Sequence, residues 1–188
     1  MDIKNYIVTH DGFLPSDVLN NLRDYCNYCE FEDAMILGKT KPRTDDKIRK
    51  TQVRYLDKYR YDMTNAKWYN LLKCYFLEAQ MAYQKGINLD CQNSQLNEIH
   101  ILKYVEAGHY DWHVDNHKKT PRNLSIIFYV NDDYEGGQIA FKHSEDEEPH
   151  LIQPKSNRII IWPSNFMYPH KVMPVTKGTR YSVVSWII

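Results

Sequence analysis

One tripeptide of this 188-residue chain has the residue types of a metal site. His113 and Asp115 are separated by one residue, so both side chains would leave the same face of an extended strand. A second histidine from a distant strand, His170, would complete a set of two imidazoles and one carboxylate. Such a set leaves coordination positions open and is diagnostic of non-haem Fe(II) oxygenases. Because imidazole binds a metal only when neutral, we expect metal binding to weaken below about pH 6.5.

An arginine near the C-terminus is the second chemical signal. Arg180 lies in the run TRYSVVSWII (179–188), which is otherwise largely apolar, and a charge in such a run is costly unless it is paired. One interpretation is a strand-edge arginine with its head in water. The other is a bidentate clamp for a substrate carboxylate, to which Tyr129 of IIFYVN would add a hydrogen bond. Tyr129 taken alone would be interpreted as a core residue.

Helices are predicted in the first half of the chain. Pro15-Ser16-Asp17 is typical of a helix start, and apolar residues recur after it at helical spacing. A longer helix is predicted to begin near Thr64 or Asn65 and to end before Gly86. The polar segment 38–50 between them is predicted to be a loop, with a strand following at 51–56.

Strands dominate from residue 96 onward. Short segments rich in β-branched and aromatic residues are separated by turn signals, at 96–105, 123–130, 137–142, 157–162 and 179–188. Because no helix of about 10–15 residues separates them, an antiparallel sandwich or jelly roll is favoured over a parallel sheet. The predicted fold class is therefore mainly β with N-terminal helices (α+β). Helical support would span 1–95 and the β core 96–188.

Composition indicates one globular domain covering 1–188. The 24 basic and 24 acidic residues give a formal net charge of zero, which disfavours nucleic acid and anionic membranes as partners. The first ten residues lack the pattern of a signal peptide, and no apolar run approaches the roughly 18 residues of a membrane span. We therefore expect a cytoplasmic protein with reduced thiols. The pair Cys26 and Cys29 is interpreted as helix packing rather than as a zinc or redox site.

Five motifs then occur in a fixed order. They are Tyr104 with Gly108 and YDWHVDN (110–116), IIFYVN (126–131), EGGQIAF (135–141), PHKV (169–172) and TRYSVVSW (179–186). Together they resemble the 2-oxoglutarate/Fe(II) dioxygenases of the prolyl 4-hydroxylase type, in particular short stand-alone bacterial or phage members. DGFLP (11–15) and RKTQVRYL (49–56) resemble the N-terminal portion of that family more weakly.

The resemblance implies a double-stranded β-helix (jelly roll) and a set of cofactors. These are Fe(II), 2-oxoglutarate and O2, with ascorbate as a further candidate. It also implies site residues. The catalytic metal ligands would be His113, Asp115 and His170; the cosubstrate would contact Arg180, Tyr129 and Tyr104; the substrate pocket would include Tyr110 and Trp186.

The implied reaction is hydroxylation of a prolyl residue in a protein or peptide, with succinate and CO2 as coproducts. Arg180 stands where collagen-type members commonly have lysine, so free proline or another amino acid stays open as substrate. A non-catalytic β-roll binding module is the alternative from another class. Nucleic-acid demethylation is disfavoured, because Trp186 stands where those relatives carry a further arginine. Segment 39–50 is either a solvated loop or a lid over substrate.

Overall fold

A computed structural model of the chain describes residues 2–36, 43–58, 61–88, 95–142 and 148–188. These residues contain a short 3-10 helix (Ile3–Tyr6), two α-helices and fourteen strands. The helices are α1 (Ser16–Tyr28) and α2 (Met63–Gly86). The strands are β1 (Val8–Asp11), β2 (Glu32–Asp33), β3 (Arg49–Lys50), β4 (Gln52–Tyr55), β5 (Leu96–Tyr104), β6 (His109–His113), β7 (Leu124–Tyr129), β8 (Glu135–Gly136), β9 (Ile139–Phe141), β10 (His150–Ile152), β11 (Arg158–Pro163), β12 (His170–Val172), β13 (Val175–Lys177) and β14 (Arg180–Ile187).

The strands form two main sheets. The larger sheet has the order β1-β11-β7-β14-β5-β4-β2, and the smaller has the order β10-β9-β12-β6-β3. Strands β8 and β13 form a separate two-stranded ladder. The pairings are antiparallel throughout the described strands. The predicted fold class, a mainly β jelly roll with helices near the N-terminus, is confirmed.

The central strand β7 shows how the larger sheet is covered on both faces. All six of its residues are buried. Ile126 and Phe128 belong to the apolar cluster that includes α1 and α2, whereas Ile127 and Tyr129 belong to the cluster shared with the smaller sheet. Because successive side chains of a strand point to opposite faces, the helices cover one face and the smaller sheet covers the other. The predicted site residues Tyr104, Tyr129 and Trp186 lie in or against the second cluster.

The two helices begin close to the predicted positions. Helix α1 begins at Ser16, as predicted, and buries Leu19, Leu22 and Cys26. Helix α2 begins before Thr64 because Asp62 is its N-cap and accepts a hydrogen bond of 2.8 Å from the backbone nitrogen of Thr64. The helix includes Gly86, so it also ends later than predicted. Among the described residues, no helix is both long and apolar enough to cross a membrane.

The part of the chain predicted to be helical support also supplies four strands. Strand β1 pairs with β11, β3 with β6, and β4 with β5. All four residues of β1 are exposed, so this edge strand shows no alternation that a sequence pattern could reveal. The strand predicted at 51–56 is observed as β4. Of the predicted loop 38–50, residues 43–50 form a turn that ends in β3, and residues 38–42 lie outside the described part.

Candidate active site

Two histidines lie side by side on neighbouring strands of the smaller sheet. His113 ends β6, His170 begins β12, and they are register partners. Asp115 lies just beyond the end of β6, not within an extended strand, yet its carboxylate turns toward both rings. Its oxygens lie 3.6 Å from Nε2 of His113 and 3.6 Å from Nε2 of His170. Within the described residues, these three form a cluster whose ligand atoms lie within 4.8 Å of one another.

Hydrogen bonds determine which nitrogen of each imidazole is free. Nδ1 of His113 lies 2.8 Å from the carbonyl oxygen of Asp111, and Nδ1 of His170 lies 3.1 Å from that of Tyr168. Because a carbonyl oxygen only accepts, Nδ1 carries the proton in both rings and Nε2 keeps its lone pair. Burial, together with the neighbouring His170, lowers the pKa of His113 to about 3, so this ring is neutral at pH 7. Nε2 of His113 therefore has the form that binds a metal, and Nε2 of His170 faces the same carboxylate.

One buried serine, which also contacts a second serine, holds the carboxylate of Asp115. Oγ of Ser125, on β7, donates a hydrogen bond of 2.7 Å to Asp115 Oδ2 and lies 2.7 Å from Oγ of Ser164. Burial alone would raise the pKa of Asp115. His170, His113 and the Ser125 hydroxyl together outweigh that effect and lower the pKa to about 2. The carboxylate is therefore ionised at neutral pH. Two imidazoles and one carboxylate on one side of a cavity fit Fe(II) with coordination positions left open.

Arg180 is fully buried at the start of β14, and part of its guanidinium has no acceptor. Nη1 donates a hydrogen bond of 2.9 Å to Oγ of Ser182, whereas Nε and Nη2 have no partner among the described residues. The guanidinium carbon lies 4.9 Å from the ring centre of Tyr104 and 5.0 Å from that of Tyr129. The buried hydroxyl of Tyr129 lies beside this guanidinium but makes no hydrogen bond of acceptable geometry among the described residues. Since an unpaired buried cation is costly, this surrounding fits a carboxylate ligand.

A cavity of about 260 Å³ opens at the metal-ligand cluster. Tyr104, Tyr110 and Trp186 line it together with the three ligands. Arg180 and Tyr129 do not line this cavity. Tyr104 connects the two regions, because it lines the cavity and its ring also contacts the guanidinium of Arg180.

Aromatic rings and two arginines form the walls of the cavity. The ring of Tyr110 stacks on that of His113 with 3.6 Å between centres, and the guanidinium carbon of Arg49 lies 4.6 Å from the Tyr110 ring centre. On another wall, the guanidinium carbon of Arg122 lies 3.5 Å from the ring centre of Trp186. The aromatic walls are therefore suited to an apolar ring of a ligand, and the two arginines are suited to a negatively charged group.

The residues singled out from the sequence all lie in this region: His113, Asp115, His170, Arg180, Tyr129, Tyr104, Tyr110 and Trp186. The sequence reasoning missed Ser125, which holds Asp115, and Ser164, which contacts Ser125. It also missed Tyr134, whose hydroxyl is buried beside Arg180. A weak signal existed for Ser125, because it is the polar residue in the apolar run LSIIFYV (124–130) and such a residue needs a partner when buried.

Residues 99–188 match the family model described as the 2OG-Fe(II) oxygenase superfamily. Over 97 residues the chain is 37% identical to a PKHD-type hydroxylase of Synechococcus sp. (strain CC9902), which covers 50% of this chain and 42% of that protein. Over 169 residues it is 26% identical to prolyl 3-hydroxylase 2 of Homo sapiens, covering 84% of this chain and 23% of that protein. The chain thus spans less than half the length of these two curated relatives.

Among the solved structures that match nearly the whole chain, one has a bound peptide. It is a prolyl hydroxylase in complex with a hypoxia inducible factor oxygen degradation domain peptide fragment from Trichoplax adhaerens. The match has a TM-score of 0.76 at 18% sequence identity and covers 98% of this chain and 84% of the other. At this identity the likeness concerns the fold, and it agrees with the two-sheet architecture described above.

Proposed function

We propose that the chain, whose residues 99–188 match the family model of the 2OG-Fe(II) oxygenase superfamily, is an Fe(II)- and 2-oxoglutarate-dependent hydroxylase of a prolyl residue in a protein or peptide. One observation carries this proposal. A cluster of two histidines and one aspartate lines the same cavity as Tyr104, and the ring of Tyr104 contacts a buried arginine with two nitrogens that lack a well-formed hydrogen bond. A metal bound by the cluster and chelated by a 2-oxoacid would occupy the three ligands, and the distal carboxylate of the same 2-oxoacid would pair with the arginine.

The metal would be held by Nε2 of His113, Nε2 of His170 and a carboxylate oxygen of Asp115. When bound, Fe(II) and 2-oxoglutarate supply the oxidising chemistry, in which O2 and 2-oxoglutarate yield succinate and CO2 and one oxygen atom enters a substrate C–H bond. Backbone carbonyls orient the two imidazoles, and the hydroxyl of Ser125 orients the carboxylate. These contacts keep the ligand set in one geometry.

The cosubstrate would be oriented by Arg180 and Tyr129. Nε and Nη2 of Arg180 would donate to the distal carboxylate, while Ser182 holds Nη1 and so restrains the guanidinium plane. Burial raises the pKa of Tyr129, so its phenol keeps its proton and can donate. Charge attraction is stronger in such a water-poor site than in solvent, which favours a dianionic 2-oxoacid over a monoanionic one.

The walls of the cavity support a substrate with a small apolar ring. Tyr110 and Trp186 offer aromatic surface to such a ring and exclude water from the reacting carbon. The names of the curated relatives, a PKHD-type hydroxylase and a prolyl 3-hydroxylase, support proline as the residue that is modified. The peptide bound to the structural neighbour supports a peptide over a free amino acid. Free proline or another amino acid is the alternative substrate.

The experiment is an aerobic incubation with Fe(II), 2-oxoglutarate and either proline-containing peptides or free proline. Succinate and a mass gain of one oxygen atom in the substrate are both measured. Wild type and His10→Ala, which changes an exposed histidine on β1, should form both products, and His170→Ala should form neither. Equal product from His170→Ala and wild type would contradict the proposal. Oxygen gain in free proline alone would favour the alternative substrate, and no succinate with any substrate would favour a binding module.

A further inference from the structure

Tyr134 has a buried hydroxyl that takes no part in the metal or cosubstrate contacts proposed above. The residue lies in the connection between β7 and β8 and is partly exposed as a whole. Its hydroxyl oxygen, however, is inaccessible to solvent and makes no hydrogen bond of acceptable geometry among the described residues, although the guanidinium of Arg180 lies beside it. Buried hydroxyl groups in folded proteins nearly always have a partner. The missing partner therefore points to a ligand.

Two glycines allow the ring of Tyr134 to lie against Arg180. A Cβ atom on Gly137 would lie 3.0 Å from Cε2 of Tyr134 and 2.9 Å from Cδ of Arg180. A Cβ atom on Gly178 would lie 3.2 Å from Cβ of Tyr134. Both glycines have positive φ, +65° and +83°, which other residues rarely adopt. Their missing side chains leave the space in which the tyrosine ring and the arginine meet.

Four buried polar atoms without a well-formed hydrogen bond therefore lie in or beside one guanidinium group. They are Nε and Nη2 of Arg180 and the hydroxyls of Tyr129 and Tyr134. A carboxylate has two oxygens with about four lone-pair sites, which matches two arginine N–H groups and two phenol O–H groups. Burial raises the pKa of Tyr134 and of Tyr129, so both phenols are protonated donors at neutral pH.

We propose that the hydroxyl of Tyr134 donates a hydrogen bond to the distal carboxylate of 2-oxoglutarate, beside Arg180 and Tyr129. This inference rests on the proposed function, because it takes 2-oxoglutarate as the ligand of Arg180. It adds a cosubstrate-binding residue from the connection after β7, which is not among the residues predicted from the sequence. Tyr134, Arg180 and Tyr129 would thus bind the same group, the carboxylate at the end of the 2-oxoacid that is farther from the metal.

The test measures binding rather than turnover. Protein loaded with Fe(II) is titrated without oxygen with 2-oxoglutarate or with 2-oxopentanoate, which has the same carbon chain but no distal carboxylate. The variant is Tyr134→Phe, which removes one oxygen and keeps the ring. The matched control is Tyr181→Phe, because Tyr181 follows Arg180 directly but packs on the helix-covered face of the larger sheet.

The dissociation constant of 2-oxoglutarate should rise about tenfold in Tyr134→Phe, because a hydrogen bond to a charged group is lost. The constants for 2-oxopentanoate and for Fe(II) should not change, and Tyr181→Phe should match wild type in all three. Equal 2-oxoglutarate constants in Tyr134→Phe and wild type would overturn the inference, as would an equal loss with both 2-oxoacids. If wild type binds Fe(II) but no 2-oxoglutarate, the proposed function fails and the inference fails with it.

Discussion

Gly137 is the position where one added methyl group should disturb the cosubstrate site without removing a polar atom. In Gly137→Ala the new Cβ would lie 2.9 Å from Cδ of Arg180 and 3.0 Å from Cε2 of Tyr134, closer than such atoms approach. The positive φ of +65° costs about 1–2 kcal/mol for alanine, and overpacking costs about 1–3 kcal/mol more. We expect the variant to unfold at a lower temperature, by about 2–4 °C per kcal/mol.

Displacement of Arg180 should also weaken 2-oxoglutarate. Since small misplacements of a binding group have large effects, we expect the dissociation constant to rise about tenfold or more. The measurements are thermal unfolding and an anaerobic titration of the Fe(II)-loaded protein.

Gly12→Ala provides the matched control for this variant. Gly12 has a φ of +71°, close to that of Gly137. Apart from its chain neighbours, however, no atom of the described residues lies within 4 Å of its ideal Cβ. The control should therefore show the backbone cost alone, with 2-oxoglutarate binding unchanged. If both variants lose the same stability and bind 2-oxoglutarate equally well, the packing of Gly137 against Arg180 and Tyr134 is not what shapes the site.

Four further predictions concern charge, support and thiol reactivity. Arg180→Gln should raise the dissociation constant of 2-oxoglutarate by about 30-fold or more and leave Fe(II) binding unchanged, as measured by calorimetric titration, because the carboxylate loses its charged partner. Ser125→Ala should weaken Fe(II) by about 10-fold or more in the same titration, because Asp115 loses its 2.7 Å hydrogen bond; equal affinity would refute the orienting role. Arg158 and Lys155 hold the pKa of Asp11 well below its usual range. These two ion pairs therefore stabilise the folded state above the unfolded-state pKa of about 3.9, and the stabilisation is lost as the pH falls below that value. The melting temperature of Asp11→Asn should accordingly lie below that of wild type at pH 7, and the difference should vanish in acid. Burial raises the pKa of Cys26 and raises that of Cys29 to about 11, so mass spectrometry after brief alkylation should find the exposed Cys74 labelled well before either; rapid labelling of Cys29 would revive a redox interpretation.

The candidate site could be predicted where a reactive or charged residue stands in a sequence context in which that residue type is uncommon. A histidine and a carboxylate at strand spacing, a distant histidine and an arginine within an apolar run each stand out from the letters alone. The structure brings these residues together because β6 and β12 are neighbours, and because residues 180 and 129 share the face of the larger sheet that packs against the smaller one.

The contacts that support the site could not be predicted in the same way. Ser125 and Ser164 are 39 positions apart and meet through tertiary packing, which no local pattern encodes. Tyr134 follows Asn131-Asp132-Asp133, a sequence typical of an exposed turn. Its ring has room because Gly137, three residues later, and the distant Gly178 lack side chains. The short edge strand β1 could not be predicted for a related reason. Its residues are all exposed, and it is stabilised by backbone pairing with the distant strand β11.

The central claim is that the His113, Asp115 and His170 cluster binds Fe(II) and that 2-oxoglutarate then chelates this metal. The direct measurement is to add Fe(II) and then 2-oxoglutarate to the protein without oxygen and to record the visible spectrum. A weak charge-transfer band should appear in wild type and in His10→Ala and be absent from His170→Ala. A band of equal strength in His170→Ala, or no band in wild type that has bound Fe(II), would contradict the account.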